Sequence, residues 1–294
     1  MSEVGFVLVD KPTGPTSHRV VATLRRTLAT RKIGHAGTLD PMASGLLLCG
    51  VGRATRLLTY LVGLDKTYEA VIRFGEVSDT DDAEGTVTPF AAADHLREAD
   101  VQTALAAFRG EISQRPSAVS AIKVDGQRAY ARVRAGEDVQ LAERPVTVHS
   151  LTLSGPPTAA TPHTLDVRIT ARVSSGTYIR ALARDLGEEL GVGGHLTELR
   201  RTAVGPFTEG DPLEAPRVRS PLEVMGRLYP IREVSATEAV DLGYGRSLEA
   251  GPEDESADTT EKNALTLAVH DGRLVAVLTP RGGRAHPVLV LEAR

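Results

Sequence analysis

The sequence predicts an α+β fold: a body of interleaved strands and helices, followed by a small β-rich domain. Three observations carry this. Strand-like and helix-like stretches follow one another without regular βαβ alternation, which argues against a parallel doubly wound sheet. Residues 67–74 and 165–173 alternate apolar and polar side chains with period two, the pattern of half-buried strands. Beyond about residue 233 an acidic, polar stretch is followed by three short β-like runs, so this tail reads as a small β-rich domain.

Taken in order, residues 5–9 (GFVLV) read as a buried strand ending at Asp10. Thr16 or Ser17 then caps a helix that places Val20, Val21, Leu24 and Leu28 on one face. Residues 30–44 hold two glycines, a proline and no period, and read as loop. Leu46 to Val51 is a continuous apolar run, a second buried strand, and 53–62 is helical. After the strand 67–74 comes the acidic loop 76–85, then a helix over 94–109. Residues 115–144 are rich in arginine with scattered glycines, and read as an inserted excursion. The strand 165–173 turns through SSG (174–176) into a helix over 178–190. The domain boundary is expected at 232/233. Beyond it, 264–269, 273–279 and 287–292 are strands, the first two joined by Asp271-Gly272 as a tight hairpin.

Composition excludes several classes. With 41% hydrophobic and 24% charged residues in a 294-residue chain, this is neither a disordered nor a fibrous protein. The one cysteine, Cys49, cannot form an internal disulfide or a multi-cysteine metal site, and fits a reducing, cytoplasmic location. No apolar run approaches the roughly 18 residues of a membrane span. The N-terminus carries Glu3 and Asp10 about a short apolar run and is not a signal peptide. The net charge of −4 is unevenly spread. Residues 61–100 carry −7 and 249–261 carry −6, whereas residues 1–60 alone carry +5. A local basic face can neutralise phosphates on a protein that is acidic as a whole.

Two familiar motifs fail. Gly50-Val51-Gly52-Arg53-Ala54-Thr55 follows a strand, but it ends in Thr and its nearest downstream acid, Asp65, comes too early for a dinucleotide site. The histidines lack paired spacing, so no metal site is expected. The informative segment is GHAGTLDP (34–41). Pro41 drives Asp40 toward extended backbone, and two glycines allow close approach. A carboxylate held stiffly on such a loop suits either a structural turn or a reactive group.

GHAGTLDP resembles the catalytic loop of the bacterial tRNA pseudouridine synthases of the B type, the TruB family. Other motifs of that family occur in the same order: DKPTGPTS (10–17), DKTYEA (65–70), DTDDAEG (79–85), SAIKVDGQRAY (120–130), SSGTYIRALARDLG (174–187) and HLTELRRTAVGPF (195–207). The resemblance covers about residues 4–210. The tail after 233 resembles the small RNA-binding PUA domain more faintly. Val173 stands where the family often has Cys, and the acidic stretch 249–261 is longer than expected.

The resemblance implies a mixed, mainly antiparallel pseudouridine-synthase sheet in 1–232, with 115–144 as an RNA-clamping insertion, and a PUA-like domain in 233–294. It implies conversion of a T-loop uridine of tRNA, position 55, to pseudouridine. Asp40 would be the nucleophile, attacking the sugar at C1′ or the base at C6. Arg180 would hold its carboxylate in fork geometry. Tyr68 would stack on the target base and bring its hydroxyl near a moving proton. Tyr178 and Leu199 would line the uracil pocket, His35 would contact the RNA, and Lys11 would buttress the site. Arg115, Lys123, Arg128, Arg132 and Arg134 are the candidate clamp. The target must be flipped out of its loop, at a cost of a few kcal/mol offset by stacking and base-edge bonds. An isomerisation needs no cofactor or metal. The expected partner is the tRNA T-arm, with no membrane and no obligatory protein partner, and the chain is expected to be a monomer. The competing readings are a non-catalytic tRNA-folding chaperone, a guide-RNA-dependent relative and, last, a nicotinamide enzyme resting on Gly50 and Gly52.

Overall fold

The apolar run at the start of the chain forms β1 (Gly5–Lys11), and the next residues turn into α1 (Ser17–Thr27). The Thr16 hydroxyl caps this helix by accepting the Arg19 N–H at 3.1 Å. The computed structural model describes residues 4–117, 141–252 and 264–291, together with the backbone of two short strands at 123–124 and 127–128. The body continues through β2 (Ile33–His35), β3 (Ser44–Val51), a 3-10 turn over Gly52–Leu58 and α2 (Thr59–Val62). Next come β4 (Lys66–Phe74), β5 (Glu76–Ser78), β6 (Val87–Pro89), α3 (Glu98–Ala107), β7 (Gly110–Gln114), β8 (Lys123–Val124) and β9 (Gln127–Arg128). Then follow β10 (Arg144–Leu153), β11 (Thr158–Thr161), β12 (Thr164–Val173), α4 (Ile179–Glu189), β13 (Gly194–Val204), β14 (Asp211–Pro212) and α5 (Pro221–Met225). The last elements are β15 (Ile231–Glu233), α6 (Ala236–Gly243), β16 (Leu248–Glu249), β17 (Thr266–His270), β18 (Arg273–Arg281) and β19 (Arg284–Val290).

The main sheet runs β14-β1-β3-β13-β4-β12-β10-β7, with β2 added to β3 and β11 to β12. Only β1/β14 and β3/β13 pair in parallel, so the sheet is mixed and mainly antiparallel. Helices α3 and α4 cover one face of its β4–β12 half, where Leu105, Leu182 and Leu186 meet Ile72, Phe74, Val167 and Ile169. On β1 and β3 both faces are buried. Val7, Val9, Leu47 and Cys49 pack under Val20, Val21 and Leu24 of α1. Phe6, Leu8, Leu46 and Leu48 face the other way, toward Leu57, Leu61 and the second sheet. Burial on both sides is why these two strands are continuous apolar runs rather than alternating ones.

The second sheet, β15-β17-β18-β19-β16, is β-rich as expected and begins at Ile231, just ahead of position 233. Asp271 (φ 48°) and Gly272 (φ 69°) make the tight β17–β18 turn. The two sheets share a core in which Leu267, Val277 and Leu289 pack with Phe6 and Leu57. Arg53 and Arg56 donate to the carbonyls of Leu291 (3.0 Å) and Val290 (2.7 Å) across the same junction.

Some elements differ from the sequence reading. The 30–44 loop contains β2, which sits on β3 through Ile33, Gly34 and His35. The helix over 53–62 starts as a tighter 3-10 turn. Strands β7, β10 and β13 lie in stretches whose polar and charged residues hide a strand period. Of the excursion 115–144, the side chains of residues 118–140 lie outside the described residues, apart from the backbone of β8 and β9.

The two halves of the main sheet meet where β3 and β13 pair for two residues only, Ser44 with Arg200 and Gly45 with Arg201. Gly45 has φ 101°, and a Cβ there would lie 2.2 Å from the Arg201 carbonyl oxygen. Glycine is required by both the backbone angle and the close approach. Gly45→Ala is expected to lower unfolding free energy by about 3 kcal/mol or more, from backbone strain and separation of the strands. Gly63→Ala, at φ −74° with nothing within 4 Å of its Cβ, is expected to leave stability unchanged or about 0.5 kcal/mol higher. Urea unfolding of both variants makes the comparison.

Candidate active site

A cavity of about 240 Å³ opens beside this seam. Asp40 and the loop 37–40 form one wall. Tyr68 and Leu199 come from neighbouring strands β4 and β13, and Ser174–Arg180 close the other side. Tyr68 sits opposite Ala171 on β12 and Arg201 on β13, so its ring projects from the middle of the sheet.

The Asp40 loop is tied down from below. Ser17, fully buried at the head of α1, donates its hydroxyl to Leu39 O at 3.0 Å and accepts the Leu39 N–H at 2.8 Å. Gly14 N–H reaches Pro41 O at 2.8 Å. Lys11, 0% exposed, donates to Pro12 O and Pro15 O at 2.9 Å and to Pro41 O at 3.3 Å. Arg201, also buried, donates to Leu46 O (2.7 Å), Gly37 O (3.3 Å) and Thr38 O (3.4 Å). Lys66 donates to Val62 O, Leu64 O and the Ser175 hydroxyl at 2.6–3.1 Å. Burial pushes the Lys11 ammonium down to about 8, against the pull of the Asp40 and Glu84 charges. Burial likewise brings Lys66 to about 8, with the Arg201 charge adding to it.

Above the loop, Arg180 lies between two carboxylates. Its Nε is 3.0 Å from Asp40 Oδ2 and its Nη1 is 3.3 Å from Asp82 Oδ2. Nη1 also donates to Thr80 O at 3.0 Å. The Arg180 and Asp82 side chains are about 5% exposed, whereas Asp40 is 36% exposed and faces the cavity. The Asp82 carboxylate is further held by the Thr80 hydroxyl (2.6 Å) and Glu84 N–H (3.0 Å). Burial, then the charges of Asp82 and Asp40, push Glu84 above its ordinary value.

The expected residues therefore take different places. Asp40, Tyr68, Arg180, Tyr178 and Leu199 meet at one cavity. Lys11 lies beneath it, bonded to carbonyls. His35 lies off the cavity, its ring edge-to-face with His18 at 5.6 Å between centroids. Burial and then the neighbouring His18 lower the His35 pKa. The Arg115 side chain is exposed and 3.4 Å from Glu143. The backbones of Lys123 and Arg128 pair across β8 and β9. Their side chains, and Arg132 and Arg134, lie outside the described residues. Four residues of the site went unread in the sequence: Ser17, Lys66, Asp82 and Arg201. Arg201 had a signal, since it shares strand parity with the inward Leu199. Asp82 lay in the acidic loop 76–85 and in the motif DTDDAEG, with no role assigned to it. Among the described residues no cluster of metal-ligating side chains occurs, and no helix is long and apolar enough to cross a membrane.

Solved structures share this architecture. Chains in the crystal structures of the archaeal box H/ACA sRNP Nop10-Cbf5 complex and of a Cbf5-Nop10-Gar1 complex superpose on 99% of this chain, with TM-scores of 0.67 and 0.69. They are 24% and 25% identical to it and are matched over 86% and 85% of their own lengths. The fold is that of the pseudouridine synthases. Three family models match consecutive parts of the chain. They are TruB family pseudouridylate synthase (N terminal domain) over 25–179, tRNA pseudouridylate synthase B C-terminal domain over 180–219, and tRNA Pseudouridine synthase II, C terminal over 229–292. Relatives named tRNA pseudouridine synthase B from Arthrobacter sp. (strain FB24) and Thermobifida fusca (strain YX) are 52% and 50% identical. Each match covers 97% of this chain, and 96% and 98% of the respective relative. The chain belongs to the TruB family.

Removing one member of a buried ion group leaves its partner uncompensated, which costs more than the group contributes. Arg180→Ala strands the buried Asp82 and is expected to cost about 3–5 kcal/mol of stability. Asp40→Asn leaves the Arg180–Asp82 pair intact, and Asp40 is half open to water, so its unfolding midpoint is expected to stay near wild type. Urea titrations followed by circular dichroism separate the two.

Proposed function

We propose that the protein isomerises the uridine at position 55, in the T loop of tRNA, to pseudouridine, with Asp40 as the nucleophile. The observation that carries this is the Asp40 carboxylate, 3.0 Å from Arg180 Nε, opening onto a cavity lined by Tyr68. The cavity admits one flat ring. A base inside it is out of its own stack, so the uridine enters flipped, with the Tyr68 ring as its new stacking surface. Asp40 then attacks C1′ of the sugar or C6 of the base. The C1′–N1 bond breaks, the uracil turns, a C1′–C5 bond forms, and the bond to the Asp40 oxygen is released, which regenerates the carboxylate. The C5 proton is lost and N1 gains one. Arg180 holds the carboxylate in place from its buried side, and Asp82 and Thr80 hold Arg180. Lys11, Ser17 and Arg201 keep the loop from yielding when the base is pulled in. Positioning of this kind lowers the barrier because the reacting atoms arrive already oriented.

The RNA around the base is read through phosphates and shape, as for structured RNA generally. The clamp consists of Arg115, Lys123, Arg128, Arg132 and Arg134, and the second sheet, 233–294 as a PUA-like domain, adds contacts. The enzyme works as a cytoplasmic monomer on tRNA without a guide RNA. The alternative, a chaperone that binds and folds tRNA without chemistry, needs the same surface but not Asp40.

An unmodified T-arm stem-loop with tritium at uridine C5 distinguishes them. Wild type is expected to release tritium to water. Asp40→Asn is expected to bind with wild-type affinity and release at least about 10⁴-fold more slowly. Tight binding with no release by wild type would favour the chaperone. For the clamp, Arg128→Ala with Arg132→Ala is expected to weaken binding and to lower the salt slope of log affinity by about one per lost phosphate contact. An unchanged slope would remove both residues from the clamp.

A further inference from the structure

We propose that Gln114 is a positioning residue that aims Arg180 at Asp40 by fixing the backbone of Tyr178 at the head of α4; this rests on the isomerase reading above. Gln114 closes β7 and is 0% exposed. Its amide grips Tyr178 at both backbone groups. Nε2–H donates to Tyr178 O at 3.1 Å, and Oε1 accepts the Tyr178 N–H at 2.8 Å. A primary amide placed this way does what a neighbouring strand would do.

The grip has a particular object. Helix α4 begins without a side-chain cap, and Tyr178 stands at the cap position with φ −104° and ψ 110°. Where a helix has a Ser, Thr, Asp or Asn cap, its first turn is set from within. Here it is set from outside, by Gln114. Arg180 follows two residues later, and Tyr178 itself lines the cavity. One turn further on, Arg184 donates to Arg115 O at 2.8 Å. Residues 114 and 115 thus hold α4 at two points that bracket Arg180.

The holder is itself stiff. Gln114 pairs with Arg144 in the β7–β10 ladder, and the Ser113 hydroxyl donates to Glu143 at 2.9 Å. The same two strands are the base from which segment 115–144 leaves and to which it returns. The geometry of the carboxylate–guanidinium pair is therefore referred to the base of the insertion as well as to the sheet. Arg180 keeps its contacts to Asp82 and Thr80 when Gln114 is changed, so the pair loosens rather than separates.

The side-chain chemistry is specific. A glutamate at 114 would still accept the Tyr178 N–H, but its carboxylate would oppose the Tyr178 carbonyl. Protonated, the acid regains one donor and one acceptor and restores both bonds. Burial against a carbonyl raises its pKa. A methionine fills similar space and bonds neither group.

The experiment measures single-turnover tritium release at saturating enzyme, and affinity for the same T-arm stem-loop, for wild type, Gln114→Glu and Gln114→Met. At pH 8 both variants are expected to release tritium about 10- to 100-fold more slowly, the scale of a small misplacement of reacting groups. Their affinities are expected to stay within about threefold of wild type. At pH 6 the Glu variant is expected to recover relative to wild type, and the Met variant is not. Wild-type rates in the Met variant, a defect confined to affinity, or a Glu defect that ignores pH would each overturn the role of Gln114. Absence of release by wild type would instead overturn the isomerase reading, and this inference with it.

Discussion

The structure turns on one buried guanidinium. Arg180 takes the carboxylates of Asp40 and Asp82 and the carbonyl of Thr80, and so joins three segments that are distant in sequence. A buried arginine with fewer partners would carry a large desolvation cost. One with both carboxylates deeply buried would leave no acid open to the cavity. The solution is asymmetric. Asp82 is sealed in and satisfied by Thr80 and the Glu84 N–H, and Asp40 alone looks into the cavity. One acid anchors the cation and the other is presented by it.

Beneath the cavity the electrostatics run the other way. Lys11, Lys66 and Arg201 are buried, and among the described residues each is bonded to carbonyl or hydroxyl oxygens rather than to a carboxylate. Carbonyl dipoles satisfy the donors without cancelling the charge. Three buried cations under the floor, offset in part by the Asp40 and Glu84 charges that act on Lys11, leave local positive charge that favours an anionic ligand above it. This accounts for how a chain of net charge −4 can hold a polyanion at one place. Of the acidic residues of 61–100, Asp81 and Asp82 are paired with Arg184 and Arg180.

Much of this was legible in the sequence where one local rule dominated. The runs 5–9 and 46–51 read as buried strands because both faces of β1 and β3 are covered. The α1 cap and the Asp271-Gly272 turn depend on a few adjacent residues, and both were readable. Asp40 and Arg180 were singled out through motif resemblance, since nothing local to either announces that they meet 140 residues apart. Strand β13 was missed because two bulges break its alternation and two arginines fall in it. Lys66 and Arg201 lie within the motifs DKTYEA and HLTELRRTAVGPF, but no role was assigned to either. Their burial depends on carbonyls turned inward by loops elsewhere in the chain, and no local pattern reports that.

The short parallel seam between β3 and β13 has a consequence in time. Its partners, and the Arg201 bond to Leu46 O, join residues 155 or 156 positions apart. Pairing of such remote strands is slow, because the chain between them must be ordered before the contact rewards it. The loop bearing Asp40 is synthesised early, yet its floor is completed only when Arg201 arrives. A growing chain holding the first 150 residues carries Asp40 without Arg180 or Arg201. The Asp40–Arg180 pair and the floor beneath the Asp40 loop thus come together only in a finished body.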